Sequence, residues 1–458
     1  MSNYFDKFRF KPRAHQYITI KHFIDNKRTH CWNGTGTGKT ACALWAYDIL
    51  RRKGSIQKLL IVTTKSTMVN TWGQHVFEML PFLKTEILDG TKATRVKKLK
   101  SSPDIVIINH DGIKVCGQEI EHWKPDMVII DESTAFKKKS TQRWKSMKAI
   151  TDLSERVIPM SGTPFAQAPT DAWAVALFVC PDSVGRAFYR FRFLTMYQIN
   201  KFKWLPKEDV DEILFKYIKP VIRIKREDCL ELPPVQYIDL DVELSSEQSR
   251  VFNTLKKEAI ADIEKGLVTA AHEGVLRSKL LQCCSGYVYG LDGDGKRVIH
   301  DLKPKHRLEL LLDSINESQR GILIFSDFKS VIEKIEDFLK KGEIECRKIH
   351  GEVTQNERHE IIKDFQDGKI KVLVLHPRTM AHGVTLTYAD TVIWYGVTSD
   401  NELYEQANAR INRIGQDFKM RVLHFVSTPF EKLVLKKLRL KQSVQGSILE
   451  AFGKQKFL

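Results

Sequence analysis

Short apolar runs recur along the chain, and each is bounded by polar or turn-forming residues. The first half has four such runs, at 58–64, 104–110, 127–132 and 156–163, and the second half has four more, at 321–327, 371–376, 391–396 and 421–427. Runs rich in β-branched residues are typical of strands buried on both faces of a parallel sheet. Amphipathic stretches lie between them, one of which places these residues on one helical stripe: Val331, Ile332, Ile335, Phe338 and Leu339. The alternation predicts an α/β protein with two doubly wound parallel-sheet lobes.

The stretch between these two blocks, roughly 186–300, has a different composition. Aromatic and basic residues come first, then a Leu-Pro-Pro break at 232–234, then a helical pattern from Glu247 to about Glu264. The segment 290–296 predicts a hairpin turn and not a calcium loop, because no Glu stands twelve positions after its first Asp. We therefore expect four segments, namely an N-terminal lobe (1–185), a helical basic protrusion and linker (186–235), a helical start of the second lobe (236–300), and a C-terminal lobe with its tail (301–458).

Composition narrows the class of protein. The 458 residues include 73 Lys and Arg against 56 Asp and Glu, which gives a net charge of +17 and makes a polyanionic partner worth testing. No apolar run is long enough to span a membrane, and the first eleven residues lack the apolar core of a secretory signal. The eight cysteines have no paired CxxC spacing, so we expect neither a structural zinc site nor a disulfide framework. This use of cysteine fits a reducing compartment best.

A glycine-rich segment precedes an apolar helical stretch near the N-terminus: Gly34, Thr35, Gly36, Thr37, Gly38, Lys39 and Thr40. Backbone N–H groups of such a loop cradle phosphates at the positive end of the following helix. Lys39 is expected to reach the β- and γ-phosphates, and Thr40 to bind Mg²⁺. The strict pattern has Gly at position 33, where this chain has Asn33. The alternative is a flexible turn, but the complete GxGKT favours a nucleotide site.

A nucleotide site of this kind needs an acidic partner at the end of a neighbouring strand. Asp131 and Glu132 follow the apolar run that begins at Met127. We expect Asp131 to hold Mg²⁺ and Glu132 to polarise the attacking water. The alternative, that the two carboxylates only cap a helix N-terminus, is open for this pair taken alone.

The order of the motifs carries a family resemblance. Beyond the P-loop and Asp131-Glu132, the chain contains PRAHQ (12–16), VTTKSTMVNTW (62–72), SGTP (161–164), LRSKLLQCCSG (276–286), ILIFSDF (322–328), HGEVTQNER (350–358), TMAHGVTLTYAD (379–390) and QANARINRIGQ (406–416). This set resembles the superfamily two helicases, and most closely their Swi/Snf-type DNA-dependent ATPases, over about residues 10–440. The resemblance implies two RecA-like lobes, with ATP and Mg²⁺ as cofactors.

The resemblance also implies roles for single residues. Gln16 is expected to read the adenine edge, and Gln406 to belong to the ATP site. Arg410 and Arg413 are expected to neutralise charge on the γ-phosphate once the two lobes close, and their spacing of three predicts one helix face. Thr163 and Gln416 resemble residues that couple the ATP site to DNA. The alternatives are an exposed basic helix face for the arginines and a plain turn before Pro164 for Thr163.

The basic stretch 186–226 is the strongest candidate for a nucleic-acid surface. It has eleven Lys or Arg, four acidic residues and nine aromatic residues, and a net charge of +7. Basic side chains neutralise phosphates, and exposed rings stack on bases. The alternative, which we favour for the aromatic residues, is a helical subdomain with an aromatic core and a basic exterior. Further candidates for DNA-backbone contacts lie at or just after strand ends: Lys65, Ser66, Asn109, His110, Ser326, Arg378, Thr379 and Thr385.

Two departures from the eukaryotic remodellers of the family set the expected role. The usual Trp-Asn-Pro is replaced by Ser399-Asp400-Asn401, and the chain has no room for histone-reading domains. We therefore expect a compact bacterial or bacteriophage enzyme, cytoplasmic and functional as a monomer, that binds DNA with little sequence specificity and no membrane. The first hypothesis is an ATP-driven translocase or helicase acting on duplex, forked or branched DNA in replication, recombination or repair. The alternatives are a helicase that loads on single strands of DNA or RNA, and an ATP-dependent clamp without motor activity.

Overall fold

The computed structural model describes residues 2–8, 10–200, 203–229, 232–264, 270–291, 293, 296–380, 385–413 and 415–453. The chain divides into two compact units, residues 1–231 together with 441–458, and residues 232–440. The finer division into four segments stays a prediction. In the part of the chain that the structure describes, no helix is both long and apolar enough to cross a membrane.

The first unit is built on a parallel sheet of five strands. The nine described strands of this unit, inside and outside that sheet, are β1 (His30–Cys31), β2 (Leu59–Thr63), β3 (Thr85–Leu88), β4 (Ile105–Asn109), β5 (Met127–Ile130), β6 (Arg156–Pro159), β7 (Met196–Gln198), β8 (Trp204–Pro206) and β9 (Val221–Ile222). The order in the main sheet is β3-β4-β2-β5-β6. β1 pairs in parallel with β9, and a parallel bridge joins Cys31 to Met160 beyond β6. The four apolar runs predicted as strands in this half are confirmed as β2, β4, β5 and β6.

Helices cover both faces of this sheet. They are α1 (Ala14–Asp25), α2 (Lys39–Arg52), α3 (Gln74–Met79), α4 (Lys92–Leu99), α5 (Gly112–Trp123), α6 (Gln142–Leu153), α7 (Trp173–Ala176), α8 (Pro181–Val184), α9 (Phe188–Thr195) and α10 (Val210–Tyr217). Alternate residues of each strand enter two different cores, with Leu60 and Val62 of β2 in one and Leu59 and Ile61 in the other. Burial on both faces explains why the strands have no polar alternation.

The basic stretch 186–226 contains α9, α10 and an antiparallel hairpin of β7 and β8, which the sequence did not predict. An aromatic core is present only in part, because Phe191 is buried whereas Tyr189 is 70% and Phe193 56% exposed. The guanidinium of Arg192 lies 4.0 Å from the ring centroid of Trp204, a cation–π geometry. Two members of the predicted basic and aromatic set, at 201 and 202, lie outside the described residues.

The second unit contains a parallel sheet of six strands. The eight described strands of this unit, inside and outside that sheet, are β10 (Val235–Asp241), β11 (Tyr287–Leu291), β12 (Arg297–Asp301), β13 (Gly321–Phe325), β14 (Cys346–Ile349), β15 (Val372–Leu375), β16 (Ala389–Trp394) and β17 (Met420–Val426). The order is β10-β17-β16-β13-β15-β14, and β11 and β12 form a separate antiparallel hairpin, as predicted for 290–296. The apolar runs of the second half are confirmed as β13, β15, β16 and β17.

Helices again alternate with these strands: α11 (Ser246–Glu264), α12 (Ala270–Cys284), α13 (Lys305–Asn316), α14 (Lys329–Lys341), α15 (Gln355–Gln366), α16 (Pro377–Met380), α17 (Asn401–Asn408) and α18 (Pro429–Gly453). The predicted stripe falls on α14, where Val331, Ile332, Ile335 and Leu339 are completely buried. Both units therefore have the doubly wound α/β architecture expected from the sequence.

Candidate active site

The glycine-rich loop between β1 and α2 has the backbone geometry of a phosphate cradle. Gly36 and Gly38 have φ angles of +84° and +82°, in the left-handed region that favours glycine. A Cβ atom at Gly38 would also lie 2.1 Å from Nε2 of Gln16. α2 begins directly afterwards at Lys39, so its free N–H groups and the positive end of its dipole face the loop.

The ammonium group of Lys39 lies over the start of the loop. Nζ donates hydrogen bonds to the carbonyl oxygens of Asn33 at 3.0 Å and Gly34 at 3.1 Å. The hydroxyl of Thr37 donates to the same Gly34 oxygen at 2.9 Å. A cation held by two neutral carbonyls can exchange them for phosphate oxygens, which are stronger partners for an ammonium group.

Asn33, the departure from the strict P-loop pattern, has a structural function. Its side chain is buried, donates from Nδ2 to the Thr19 hydroxyl at 2.9 Å and accepts from Ile224 N at 2.9 Å. The amide thus ties the start of the loop to α1 and to the segment after β9. A glycine here would leave both partners without this bond.

Gln16 contacts the P-loop from α1. Its Oε1 accepts from the backbone N–H of Arg13 at 2.8 Å, and its Nε2 donates to the carbonyl of Thr37 at 3.3 Å. His15 contacts the same carbonyl through Nε2 at 3.1 Å. The side chain therefore lies beside the phosphate cradle, and its role in adenine recognition stays a prediction.

Asp131 follows β5, and three groups hold its carboxylate. Oδ2 accepts from the indole Nε1 of Trp72 at 2.9 Å and from the hydroxyl of Thr63 at 3.2 Å. Oδ1 accepts from the backbone N–H of Glu132 at 3.0 Å. Sequence reasoning missed Trp72, although it closes the motif 62–72, because nothing in a linear motif shows which carboxylate an indole reaches. A carboxylate has about four acceptor positions, so Oδ1 keeps one for a further partner.

Glu132 has φ +46°, a left-handed conformation that is uncommon for a residue with a side chain. Such conformations persist where the surroundings fix them and are concentrated at functional sites. Here the next residue is fixed, since Ser133 N donates to the carbonyl of Met160 at 2.9 Å.

His110, predicted to contact DNA, is directed into the protein. Its Nε2 lies 2.8 Å from the carbonyl oxygen of Asp131, and burial lowers the pKa of His110 to about 4. The imidazole is therefore neutral at pH 7, and because the carbonyl only accepts, Nε2 carries the proton. His110 buttresses the Asp131–Glu132 turn, and its DNA contact stays a prediction.

The SGTP segment lies against the P-loop. Ser161 N donates to the Cys31 carbonyl at 3.0 Å, and a Cβ atom at Gly162 would lie 3.0 Å from the hydroxyl oxygen of Thr35. Thr163 is 5% exposed, and its Oγ1 has no hydrogen-bond partner among the described residues. This position beside the nucleotide loop suits the coupling role expected for Thr163.

The buried thiol of Cys31, at the end of β1, is within electrostatic range of both Lys39 and Asp131. Burial raises the pKa of Cys31 to about 11, while the Lys39 charge lowers this pKa and the Asp131 charge raises it. Hydrogen bonds from Ser161 N to the Cys31 carbonyl and from Ser133 N to the Met160 carbonyl join the carboxyl ends of β1, β6 and β5, so the P-loop and Asp131 lie at the same edge of the sheet.

The structure corrects the prediction that Arg410 and Arg413 share a helix face. α17 ends at Asn408, and both arginines lie in the turns that follow. In a continued helix, the carbonyls of Gln406 and Ala409 would accept from the backbone N–H groups of Arg410 and Arg413. The two arginine side chains take these acceptors instead, through Nε at 2.9 and 3.0 Å.

The two glutamines of this motif are buried. Gln406 contributes its carbonyl to the Arg410 contact, and its place in the ATP site stays a prediction. Gln416 donates from Nε2 to the carbonyls of Ala389 at 2.8 Å and Ile411 at 3.1 Å, and accepts from Phe418 N at 3.1 Å. Gln416 thus fixes the arginine-bearing turns to the start of β16, and its coupling role stays a prediction.

Most remaining DNA-contact candidates follow the carboxyl ends of parallel strands. Lys65 and Ser66 follow β2, Asn109 ends the adjacent β4, and Arg378 and Thr379 follow β15. Two others differ from the prediction. Ser326 follows β13 but is completely buried and accepts from Phe328 N at 3.3 Å. Thr385 precedes β16 instead of following a strand, and its hydroxyl accepts from Arg413 Nη1 at 3.3 Å.

The oxygen donors at the nucleotide loop suit Mg²⁺. In the part of the chain that the structure describes, no group of three or more His, Cys, Asp or Glu residues could hold a metal ion alone. Mg²⁺ is instead usually bound by one or two carboxylates, nucleotide phosphates and water. Asp131 with its open Oδ1 position, and the hydroxyl of Thr40 in the first turn of α2, are hard oxygen donors of this kind.

Comparisons with protein families match both units. Residues 31–285 match the SNF2-related domain, and residues 303–415 match the helicase conserved C-terminal domain. The first of these matches spans more than half of the 458 residues.

Individual relatives are identical to this chain at about one aligned residue in four. Protein p41 of Acyrthosiphon pisum secondary endosymbiont phage 1 is 25% identical, over 97% of this chain and 99% of its own length. An uncharacterized ATP-dependent helicase of Mycoplasma genitalium is 25% identical over 86% of this chain, and the ISWI chromatin-remodeling complex ATPase of Saccharomyces cerevisiae is 25% identical over 89%. The chain spans only 37% and 38% of those two proteins.

Among solved structures, the Sulfolobus solfataricus SWI2/SNF2 ATPase core in complex with dsDNA is similar to this chain. The sequence identity is 20% and the TM-score 0.46, with 97% of this chain and 94% of that chain covered.

Proposed function

The chain belongs to the SNF2-related family and is an ATPase of the helicase type, and from this premise we propose that it couples ATP hydrolysis to movement on DNA. The substrates of this proposal are duplex, forked or branched DNA, in replication, recombination or repair. The observation that carries it is the convergence of the P-loop, Asp131 and the SGTP segment at one edge of the first sheet.

Each residue of this edge has a chemical task in the proposal. Lys39 leaves the carbonyls of the loop and binds the β- and γ-phosphates, while the glycine-rich backbone cradles them. Thr40 and Asp131 hold Mg²⁺, which when bound neutralises charge on the phosphates. Glu132 polarises the attacking water.

The second unit supplies arginines to the same reaction. We assign Arg410 and Arg413 to the neutralisation of charge that develops on the γ-phosphate. Arg410 is 2% exposed, whereas Arg413 is half-buried and its Nη1 reaches the exposed hydroxyl of Thr385. The difference in exposure favours Arg413 as the group that reaches the nucleotide.

DNA contacts in this proposal come from backbone-binding groups. Lys65, Ser66 and Asn109 lie at the carboxyl ends of two neighbouring strands, and the basic stretch 186–226 exposes Tyr189 and Phe193 beside its charges. Contacts of this kind position a protein without reading sequence, so little sequence specificity is expected.

The setting follows from the same premise. One chain carries both the P-loop and the arginine pair, so we infer that it works as a monomer. The full-length similarity to a phage protein and the eight unpaired cysteines support a place in the cytoplasm of a bacterium or of a phage-infected cell.

The decisive measurement compares ATPase rates with single-stranded, duplex, forked and four-way-junction DNA, and with RNA. We expect the largest stimulation with duplex or branched DNA. Stimulation by single strands alone would favour a helicase that loads on one strand. An ATPase rate that no nucleic acid changes would contradict the proposed function.

A further inference from the structure

Four hydroxyl groups connect Asp131 to the loop after β2, and we call Thr63, Thr67, Thr64 and Ser66 the hydroxyl chain. Beyond the contact of Thr63 with Asp131 Oδ2, the oxygen–oxygen distances are 2.7 Å (Thr63 to Thr67), 2.9 Å (Thr67 to Thr64) and 3.1 Å (Thr64 to Ser66). Thr63 is completely buried and Thr67 is 6% exposed, whereas Thr64 and Ser66 are half-buried. The hydroxyl chain therefore runs from the half-buried carboxylate of Asp131 through two buried threonines to the half-buried hydroxyls of the loop.

The carboxylate fixes the direction of these hydrogen bonds. An ionised carboxylate only accepts, so Thr63 donates its single hydroxyl hydrogen to Asp131. Any hydrogen bond between Thr63 and Thr67 is then donated by Thr67, whose oxygen accepts from Thr64. Ser66 is left as the first donor of the series, directed at Thr64.

The same loop supplies a second donor to the same oxygen. Trp72, near the end of the short π-helix Met68–Gly73, donates its indole N–H to Asp131 Oδ2 and is completely buried. The orientation of Asp131, and with it the open position at Oδ1, thus depends on the conformation of residues 63–72.

We propose that residues 63–72 are a positioning device through which contact of Ser66 with a DNA phosphate adjusts the metal-binding carboxylate of Asp131. This inference rests on the proposed function. A phosphate needs a donor, so a bound phosphate takes the Ser66 hydrogen away from Thr64. Because each hydroxyl bond polarises the next, loss of the first donor weakens the bond that Thr63 makes with Asp131.

Thr67 gives the hydroxyl chain two discrete arrangements. Its hydroxyl lies 2.7 Å from Thr63 Oγ1 and 3.1 Å from the carbonyl oxygen of Thr64, and it has one hydrogen for both. In one arrangement Thr67 donates to Thr63, and in the other it donates to the Thr64 carbonyl and releases Thr63. A two-state element of this kind is what coupling between two sites requires.

The test is the variant Thr67→Val, which keeps the shape and removes the hydroxyl, beside Thr67→Ser, which keeps the hydroxyl. Thr151→Val is the matched control, since Thr151 is also buried and its hydroxyl donates to the Lys148 carbonyl at 3.0 Å on α6. Two quantities are measured, namely the ratio of DNA-stimulated to basal kcat, and Mn²⁺ binding with ADP by electron paramagnetic resonance, with and without duplex DNA.

We expect Thr67→Val to lower the stimulation ratio about 3- to 10-fold, the effect of one hydrogen bond, and to abolish the change that DNA causes in Mn²⁺ affinity. Thr67→Ser restores both quantities, and Thr151→Val leaves both at wild-type values. Trp72→Phe is expected to weaken Mn²⁺ binding about tenfold with or without DNA, because a bond to a charged acceptor is lost. Trp144→Phe, which loses an indole hydrogen bond to the Ala174 carbonyl at 2.8 Å, is expected to leave Mn²⁺ affinity unchanged.

Two outcomes overturn the inference and leave the proposed function standing. One is a wild-type stimulation ratio for Thr67→Val at saturating DNA. The other is equal Mn²⁺ affinity in Trp72→Phe and Trp144→Phe. An unstimulated wild-type ATPase is a different result, which removes the proposed function itself.

Discussion

Single residues around the P-loop show how this chain satisfies polar groups that a nucleotide site buries. Asn33 occupies a place where the strict pattern has glycine, and its amide serves the hydroxyl of Thr19 and the backbone N–H of Ile224. A buried donor or acceptor without a partner costs about 1–3 kcal/mol, so the departure stabilises the loop. The sequence marked Asn33 as an irregularity, but its partners are 14 and 191 residues away, which no local pattern reveals.

Lys39→Ala tests the phosphate site at this scale. Loss of the only ammonium group that the P-loop pattern assigns to the β- and γ-phosphates should lower kcat for ATP hydrolysis more than about 100-fold, while DNA binding persists. The measurements are steady-state ATPase rates and DNA titrations.

The control is Lys58→Ala. Lys58 directly precedes the amino end of β2, at the sheet edge opposite the P-loop, and donates to the Trp123 carbonyl at 2.8 Å. Undiminished turnover in Lys39→Ala would remove the P-loop from the mechanism.

At the scale of elements, sequence patterns predicted every strand inside the two main sheets but only one of the four strands at their edges. All eight apolar runs are strands, including the edge strand β6, whereas the other three edge strands, β3, β10 and β14, were not predicted. An edge strand exposes one side, so polar residues interrupt its apolar run, as Gln236, Asp239 and Asp241 do in β10. The apolar run by which a strand is recognised in the sequence is therefore weakest in strands at the edge of a sheet.

The arginine motif shows a second limit of element prediction. A spacing of three fits a helix, but here the guanidinium groups compete for the carbonyls that a helix needs. Local side-chain donors of this kind are invisible to periodicity, since the pattern counts positions and not acceptors.

Arg413→Ala tests whether these turns serve catalysis. An arginine that neutralises transition-state charge contributes about 10³–10⁵ in rate, so we expect a kcat loss of at least about 10³-fold with little change in DNA affinity. The matched control is Arg421→Ala, because Arg421 lies in the same unit near the start of β17 and contacts Thr391 and Glu317. A kcat for Arg413→Ala equal to that of Arg421→Ala would remove the arginine from the reaction.

At the scale of the whole molecule, the net charge of +17 acquires specific positions. Seven of these charges belong to the stretch 186–226, where Tyr189 and Phe193 are also exposed, and Lys65 is exposed after β2. Composition alone indicated a polyanionic partner. The order of the motifs indicated two such partners, namely ATP and DNA. The placement of exposed rings was not predictable, because aromatic residues are usually buried and a local pattern does not show which of them face solvent.

DNA binding should weaken steeply with salt and change little with sequence. Each phosphate neutralised contributes about −0.9 to the slope of log K against log salt, so five contacts give about −4 to −5. Titrations between about 50 and 200 mM salt measure the slope, and Lys65→Ala should reduce its magnitude by about 1 for every DNA sequence alike. An affinity that does not respond to salt would exclude backbone recognition.

The alternation of β2 between two cores has a consequence for how the family can change. Leu59 and Ile61 face one core and Leu60 and Val62 the other, and Thr63 is the next position, within reach of Asp131. Deleting one residue within this strand would turn each side chain to the opposite face and move the threonine away from the carboxylate. A change of length in a surface loop of this lobe should therefore cost far less stability and activity than the loss of one residue from the five-residue strand β2.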